Sequence, residues 1–332
     1  MDELMTLKGI GMTFKKSGGF LGKERRIEVL KDIDLTINRG EIIAVVGESG
    51  CGKTTLGKII TGLYRPTSGE VFFEGNQVSG LFSKKINSYN SVQFVQQDSY
   101  AALNPVRTIY QSLYAPIKAR NKKWTRSKIE ERIDELMTLI GLQPASQFLT
   151  KYPHQLSGGQ RQRILMARAV SLDPKLIVAD EPVSMIDVSL RLSLLNLMSE
   201  LNEKLNVSFV YITHDLSTAR YIARNGKMCV MYLGEIVEFG KVDEILKTPK
   251  HPYTQALIQA VPIPDPDYDT GKELPLKSME LASLENRGEG CPFEARCLYA
   301  TERCREKVDY VEVNGVKVKC CNLKKEEDEK ID

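Results

Sequence analysis

An α/β fold built on a mostly parallel sheet is predicted, and three features of the 332-residue sequence predict it. Strand-like apolar runs at 41–46, 176–179, 207–212 and 227–233 alternate with helix-like stretches, the pattern of parallel strands joined by crossover helices. The first run leads straight into "GESGCGKT", residues 47–54, within which a helix begins at about Gly52. The second ends in Asp180 and Glu181, and in an open parallel sheet that end of a strand faces the ligand crevice.

The bulk numbers set the frame. The length suggests about two domains, with ample chain for a core. Hydrophobic content of 42% and charged content of 27% are ordinary for a globular chain. A net charge of +3 without a long basic arm argues against a nucleic-acid partner. The opening "MDELMTLKG" has neither the basic start nor the apolar centre of a signal peptide. No run approaches 18 consecutive apolar residues. The chain therefore reads as cytoplasmic, and any link to a membrane goes through a partner.

Residues 47–54 fit G-x-x-x-x-G-K-[ST]. A triphosphate needs several donors converging at close range, and a loop lacking Cβ atoms at Gly47, Gly50 and Gly52 can wrap it with backbone N–H groups. The helix that follows turns its positive end to the same anion. Lys53 adds a point charge for the β- and γ-phosphates, and the Thr54 hydroxyl suits Mg²⁺. The whole stretch Gly47, Glu48, Ser49, Gly50, Cys51, Gly52, Lys53, Thr54 and Thr55 forms the expected ATP-binding set. Cys51, near a helix N-terminus, reads either as a redox-sensitive thiol or as a small side chain the loop tolerates.

Between residues 108 and 152 no convincing strand is found, which predicts a helical insertion. Ile129, Ile133, Leu136, Met137 and Ile140 recur at helical spacing there, with Gly141 as C-cap. In "KLIVADEP", Asp180 is placed to bind Mg²⁺ and Glu181 to polarise the water that attacks the γ-phosphate. "FVYITHD" repeats the arrangement with Thr213 and His214, bringing an imidazole to the same edge. In "LSGGQRQRILMARAV", Ser157, Gly158 and Gly159 open an amphipathic helix and form a second anion-ready N-terminus. With one phosphate loop per chain, this second site is expected to serve another chain's ATP. A generic N-cap accounts for Ser157, but not for the glycines and Gln160.

These motifs resemble the ATPase subunits of ABC transporters, over residues 5–323. The resemblance implies a P-loop NTPase fold with a RecA-like core, an antiparallel β subdomain and a helical subdomain at about 100–165. It implies a signature at Leu156, Ser157, Gly158, Gly159 and Gln160 that contacts the partner's ATP. It also implies a Q-loop glutamine at Gln97 that senses Mg²⁺, with Thr54 and Asp180, and touches the membrane partner. The switch histidine falls on His214 and the D-loop aspartate on Asp187, so Glu181, His214 and Gln97 form the catalytic set. Phe14 falls where an aromatic stacks on adenine, although an ordinary strand residue fits there too. "GESGCGK", "ALNP", "HPYTQAL" and "AVPIPDPD" look like the oligopeptide/dipeptide importer branch. Two departures stand out: "SMID" in place of S-A-L-D, and Ser99 where a proline usually follows the Q-loop aspartate.

The implied organisation is a nucleotide-binding domain at 1–261 and an extension at 262–332. The extension contains a proline-rich linker, a cysteine cluster at 291–321 and a charged tail. Five of the seven cysteines, Cys291, Cys297, Cys304, Cys320 and Cys321, crowd together, which in a reducing compartment points to metal before disulfides. Their spacing matches neither ferredoxin runs nor zinc knuckles. By resemblance the ligands of a [4Fe–4S] cluster are Cys291, Cys297, Cys304 and Cys321, while zinc, disulfides and free thiols stay open. Implied partners are a second ATPase subunit of different sequence, two integral membrane permease subunits and an extracytoplasmic substrate-binding protein. Peptides are the branch default for cargo, with oligosaccharides an alternative. The rival from another class is a soluble ABC-type ATPase acting on DNA or ribosomes.

Overall fold

The computed structural model describes residues 2–16, 25–78, 91–184, 186–261, 276–278, 280, 283–284 and 287–323. The linker expected at 262–275, the charged tail at 324–332 and Met185 of "SMID" lie outside the described residues.

The chain opens with two long antiparallel strands, β1 (Glu3–Lys16) and β2 (Arg25–Asn38), paired with Leu7 opposite Leu35 and Phe14 opposite Ile27. Next come β3 (Ile42–Val46), α1 (Lys53–Ile60), β4 (Ser68–Phe73) and β5 (Asn76–Gln77). β4 and β5 complete a four-stranded antiparallel sheet of order β2-β1-β4-β5. After β6 (Val92–Val95) the chain is helical: α2 (Ser99–Ala102), α3 (Ile109–Arg120), α4 (Arg126–Leu139), α5 (Ser146–Leu149) and α6 (Gly158–Val170). Then β7 (Leu176–Asp180), α7 (Val188–Leu205), β8 (Ser208–Thr213), α8 (Leu216–Ile222) and β9 (Lys227–Tyr232) alternate. β10 (Glu235–Lys241), α9 (Val242–Lys247), α10 (Pro252–Gln259), β11 (Val311–Val313) and β12 (Val316–Val318) finish the described elements.

The larger sheet runs β11-β12-β10-β9-β3-β8-β7-β6. Its five strands from β9 to β6 are parallel, and β10, β12 and β11 add antiparallel to one side. The central strands are buried on both faces, as a parallel sheet covered on two sides requires. Alternation divides their side chains between two cores. Ala44, Val46, Ile177, Ala179, Phe209 and Tyr211 face the core shared with α3, α4, α6 and α7. Ile43, Val45, Leu176, Val178, Val210 and Ile212 face the core shared with α1 and the smaller sheet.

The expected insertion is present as helices α2 to α5. In α4 the predicted face, Ile129, Ile133, Leu136 and Met137, is buried; Ile140 caps the helix and Gly141 follows in the left-handed region at φ 69°. The C-terminal strands do not form a separate layer. Phe239 and Glu238 of β10 pair with Lys317 and Val318 of β12, and buried Glu235 accepts a 2.6 Å hydrogen bond from Lys319 Nζ. Among the described residues no helix is long and apolar enough to cross a membrane.

Candidate active site

Because β3, β8, β7 and β6 are adjacent and parallel, their carboxyl ends share one edge. The register aligns Val46 with Thr213, Asp180 with Ile212, and Val95 with Ala179. The phosphate loop, His214, Glu181 and Gln97 each begin one or two residues beyond those positions. Strand order thus gathers four motifs that the chain keeps far apart.

The loop needs its glycines for two reasons. Gly47 lies at φ 151° with room for no Cβ, which would fall 2.2 Å from the Met231 carbonyl oxygen; Gly52, at φ 105°, would strike Leu30 at 2.8 Å. Gly50, at φ 82°, has open space around it, so a ligand can approach its backbone closely. Gly52 caps α1 without a side-chain acceptor, which leaves the first-turn N–H groups for an anion. Buried Lys53 Nζ donates to the carbonyls of Gly47 (2.6 Å) and Glu48 (2.9 Å). Glu48 is committed elsewhere: its N–H donates to Tyr253 Oη at 2.9 Å, and its carboxylate meets Arg296. Burial pushes the Cys51 thiol above its ordinary value, although Lys53 opposes this. Depressed thiol pKa values mark reactive cysteines, so the redox reading gives way to the small tolerated side chain.

Asp180 is buried. Burial raises its carboxyl pKa, opposed by a hydrogen bond from Thr54 and the charge of Lys53. A hydroxyl and a carboxylate in contact beneath a phosphate cradle suit a hard cation.

Glu181 stands at φ 44° with its N–H bonded to the Ile212 carbonyl, a left-handed turn that costs backbone strain. Its Oε1 lies 3.0 Å from His214 Nδ1, and its Oε2 accepts from Gln97 Nε2 at 3.0 Å. Gln97 Nε2 also reaches Ser184 Oγ at 3.2 Å, and that hydroxyl donates to the Glu181 carbonyl at 3.0 Å. Gln162 Nε2 donates to the Gln97 carbonyl at 3.0 Å. A carboxylate so held can orient a water for attack. Ser184 and Gln162 went unforeseen. Ser184 lies three residues after Glu181 on the same turn, but nothing local marks Gln162.

Ser157 caps α6 in a full capping box: Ser157 Oγ accepts from Gln160 N at 3.3 Å, and Gln160 Oε1 accepts from Ser157 N at 3.1 Å. Capping therefore explains Gln160 as well as Ser157, contrary to expectation, and the glycines keep the signal. A Cβ on Gly159 would sit 3.1 Å from Leu190. Leu156 is buried, whereas Ser157 is exposed. Asp187 is exposed and caps α7 through its backbone, with no side-chain hydrogen bond to the helix. The departure at Ser99 has a local account: its buried hydroxyl faces Arg161 Nε at 3.4 Å. Phe14 is half-buried at the end of β1, with its ring edge-on to Tyr64 at 5.8 Å.

Among the cysteines, Cys304 and Cys321 come closest, Sγ to Sγ 2.9 Å, and Cys291 Sγ lies 3.9 Å from His251 Nε2. All seven are free thiols. Among the described residues, no three His, Cys, Asp or Glu side chains converge as one metal ion requires.

The family described as "ABC transporter" matches residues 30–184, and the one described as "Oligopeptide/dipeptide transporter, C-terminal region" matches 237–304. The chain is 39% identical to the oligopeptide transport ATP-binding protein AppF of Bacillus subtilis, covering 92% of this chain and 93% of that one. It is 39% identical to the dipeptide transport ATP-binding protein DppF of Haemophilus influenzae, covering 96% and 97%, and 40% identical to OppF of Escherichia coli, covering 84% and 83%. A solved dimeric structure of a bacterial ABC transporter cassette superposes with a TM-score of 0.63 at 29% identity, covering 72% of this chain and 99% of that one.

Proposed function

The chain belongs to the ABC transporter family of ATP-binding subunits, and on that premise we propose that it hydrolyses ATP to drive an importer of oligopeptides or dipeptides. The observation that carries this reading is the clasp on Glu181 by Gln97 and His214 beside an uncapped phosphate loop. Peptide cargo, rather than oligosaccharide, follows the names of the relatives and the matching C-terminal region. The soluble ATPase rival finds no support among them.

The triphosphate is cradled by residues 47–55, and Lys53 leaves the carbonyls of Gly47 and Glu48 for the β- and γ-phosphates. Thr54, Asp180 and Gln97 would hold Mg²⁺, which would supply positive charge against the phosphates. Glu181 takes a proton from the attacking water, steadied by His214, as the water's oxygen joins the γ-phosphorus and ADP departs. Phe14 stacks on the adenine.

Two cassettes close head to tail, with Leu156, Ser157, Gly158, Gly159 and Gln160 of one over the ATP of the other. Asp187 lies at that junction. Supporting this are the dimeric relative and the exposed apolar residues Val188, Leu190 and Leu192 at the start of α7. ATP favours closure because both chains touch it, and hydrolysis removes that contact. The partner ATPase is a different chain, and Gln97 passes the motion to two permease subunits served by a substrate-binding protein. Residues 1–261 form the motor and 262–332 the extension. Its thiols Cys291, Cys297, Cys304 and Cys321 would supply the donor chemistry of a [4Fe–4S] cluster, although among the described residues these side chains do not converge on one metal position. No catalytic step depends on the cluster.

Purification from membranes with the flanking subunits tests the assignment. Peptide-stimulated ATPase activity in the reconstituted complex is expected; activity only with DNA or ribosomes would overturn it.

A further inference from the structure

A phosphate loop that contains a carboxylate presents a problem. Glu48 sits between two glycines of a loop meant to gather anionic oxygens, and its negative charge opposes that task. Its charge is met from 248 positions away along the chain. Arg296 Nη1 lies 3.0 Å from both Glu48 carboxylate oxygens and donates to Tyr232 Oη at 3.3 Å. The arginine side chain is 8% exposed and the glutamate 30%.

Every polar group of Glu48 has a partner. Its N–H goes to Tyr253 and its carboxylate to Arg296, while its carbonyl receives Lys53 Nζ. Arg296 is itself firmly seated. Its N–H donates to the Phe293 carbonyl at 3.0 Å and its own carbonyl accepts from Lys277 N at 2.8 Å. Phe293 is buried against Tyr232 and Tyr253, ring centroids 5.2 and 5.4 Å away. Arg296 also stands between Cys291 and Cys297, in the turn those cysteines frame.

We propose that Arg296 is a positioning residue for the phosphate loop, holding and neutralising Glu48 from within the cysteine-bearing segment. This rests on the reading of that loop as the ATP site. Arg296 makes the fold of the C-terminal segment felt at the triphosphate in two ways. It cancels a charge that would repel ATP, and it fixes the turn whose carbonyls hold Lys53 before ATP arrives.

The test uses the full chain assembled with its transporter subunits, with ATP as the probe. Arg296→Ala is expected to raise KM for ATP about tenfold while kcat stays within about twofold, the cost of one uncompensated charge nearby. Arg296→Lys is expected to recover part of the loss. Adding Glu48→Gln to Arg296→Ala is expected to recover most of it, because the repelling charge is then gone. A role in folding alone predicts otherwise: a lower melting temperature, reduced kcat at unchanged KM, and no rescue by Glu48→Gln. That pattern, or an unchanged KM, overturns the proposal. If the wild-type complex neither binds nor hydrolyses ATP, the ATP-site reading fails instead, which is a distinct result.

Discussion

His214 Nδ1 lies 3.0 Å from Glu181 Oε1, while Gln97 occupies the other carboxylate oxygen, so two neighbouring strand ends grip one carboxylate. Because a carboxylate oxygen can only accept, the proton in the first contact belongs to the imidazole. The carboxylate is thereby aimed before any substrate arrives.

From that grip, Glu181→Gln is expected to keep ATP binding but to cut kcat by about 10²- to 10⁴-fold, the usual yield of a general base. The closed pair should accumulate with ATP, as seen by size-exclusion chromatography. Wild-type turnover in this variant would remove Glu181 from the mechanism. His214→Ala should lower kcat in the same direction.

Capping and anion binding at Ser157 can be separated. Ser157→Ala loses the cap and should cost about 0.5–2 kcal/mol of stability. Ser157→Asp caps as well as serine, yet it sets a negative charge where the partner's triphosphate is proposed to lie. A wild-type melting temperature with ATPase activity reduced at least about tenfold is expected for Asp. Full activity would show that Ser157 only caps.

Glu238 gives a pH signature. Burial raises its carboxyl pKa above 4.5, opposed by bonds that include the N–H groups of Lys250 and His251. Below about pH 4.5 folded and unfolded chains both hold the proton. Above it the unfolded chain releases its proton first, so stability falls as pH rises towards the folded value. The slope is at most about 1.4 kcal/mol per pH unit. Denaturant melts of wild type and Glu238→Gln should diverge in slope over this range; parallel curves would rule out the shift.

Anaerobic purification tests the thiols. Under the iron–sulphur proposal, about four iron and four sulphide per chain are expected, with both falling in Cys304→Ser. Removing any bound iron with a chelator should leave kcat for ATP hydrolysis within about twofold, since no proposed chemical step passes through the cluster. Zinc, or no metal, would reject the iron–sulphur reading.

The motifs could be read one by one because each is local: a glycine loop after a strand, acids at a strand end, a serine before a helix. That Gln97, Glu181 and His214 touch was written in no single stretch, and their contacts depend on strand order β8-β7-β6. That Gln160 also serves the cap was missed, because its side chain folds back on Ser157 N, a contact that glutamine at that cap position commonly makes. An acidic residue inside a phosphate loop was itself a signal that a cation must lie nearby, but nothing local said which one.

By itself the sequence determined the parallel core, the phosphate-loop motif and the strand-end groups proposed for catalysis, because strand ends, glycine turns and helix caps are written in neighbouring residues. Tertiary structure alone decided that β12 extends the main sheet beside β10 and that Arg296 meets Glu48. Both join segments far apart along the chain, and only the closing of the sheet and the packing of Phe293 among Tyr232 and Tyr253 bring them within bonding distance.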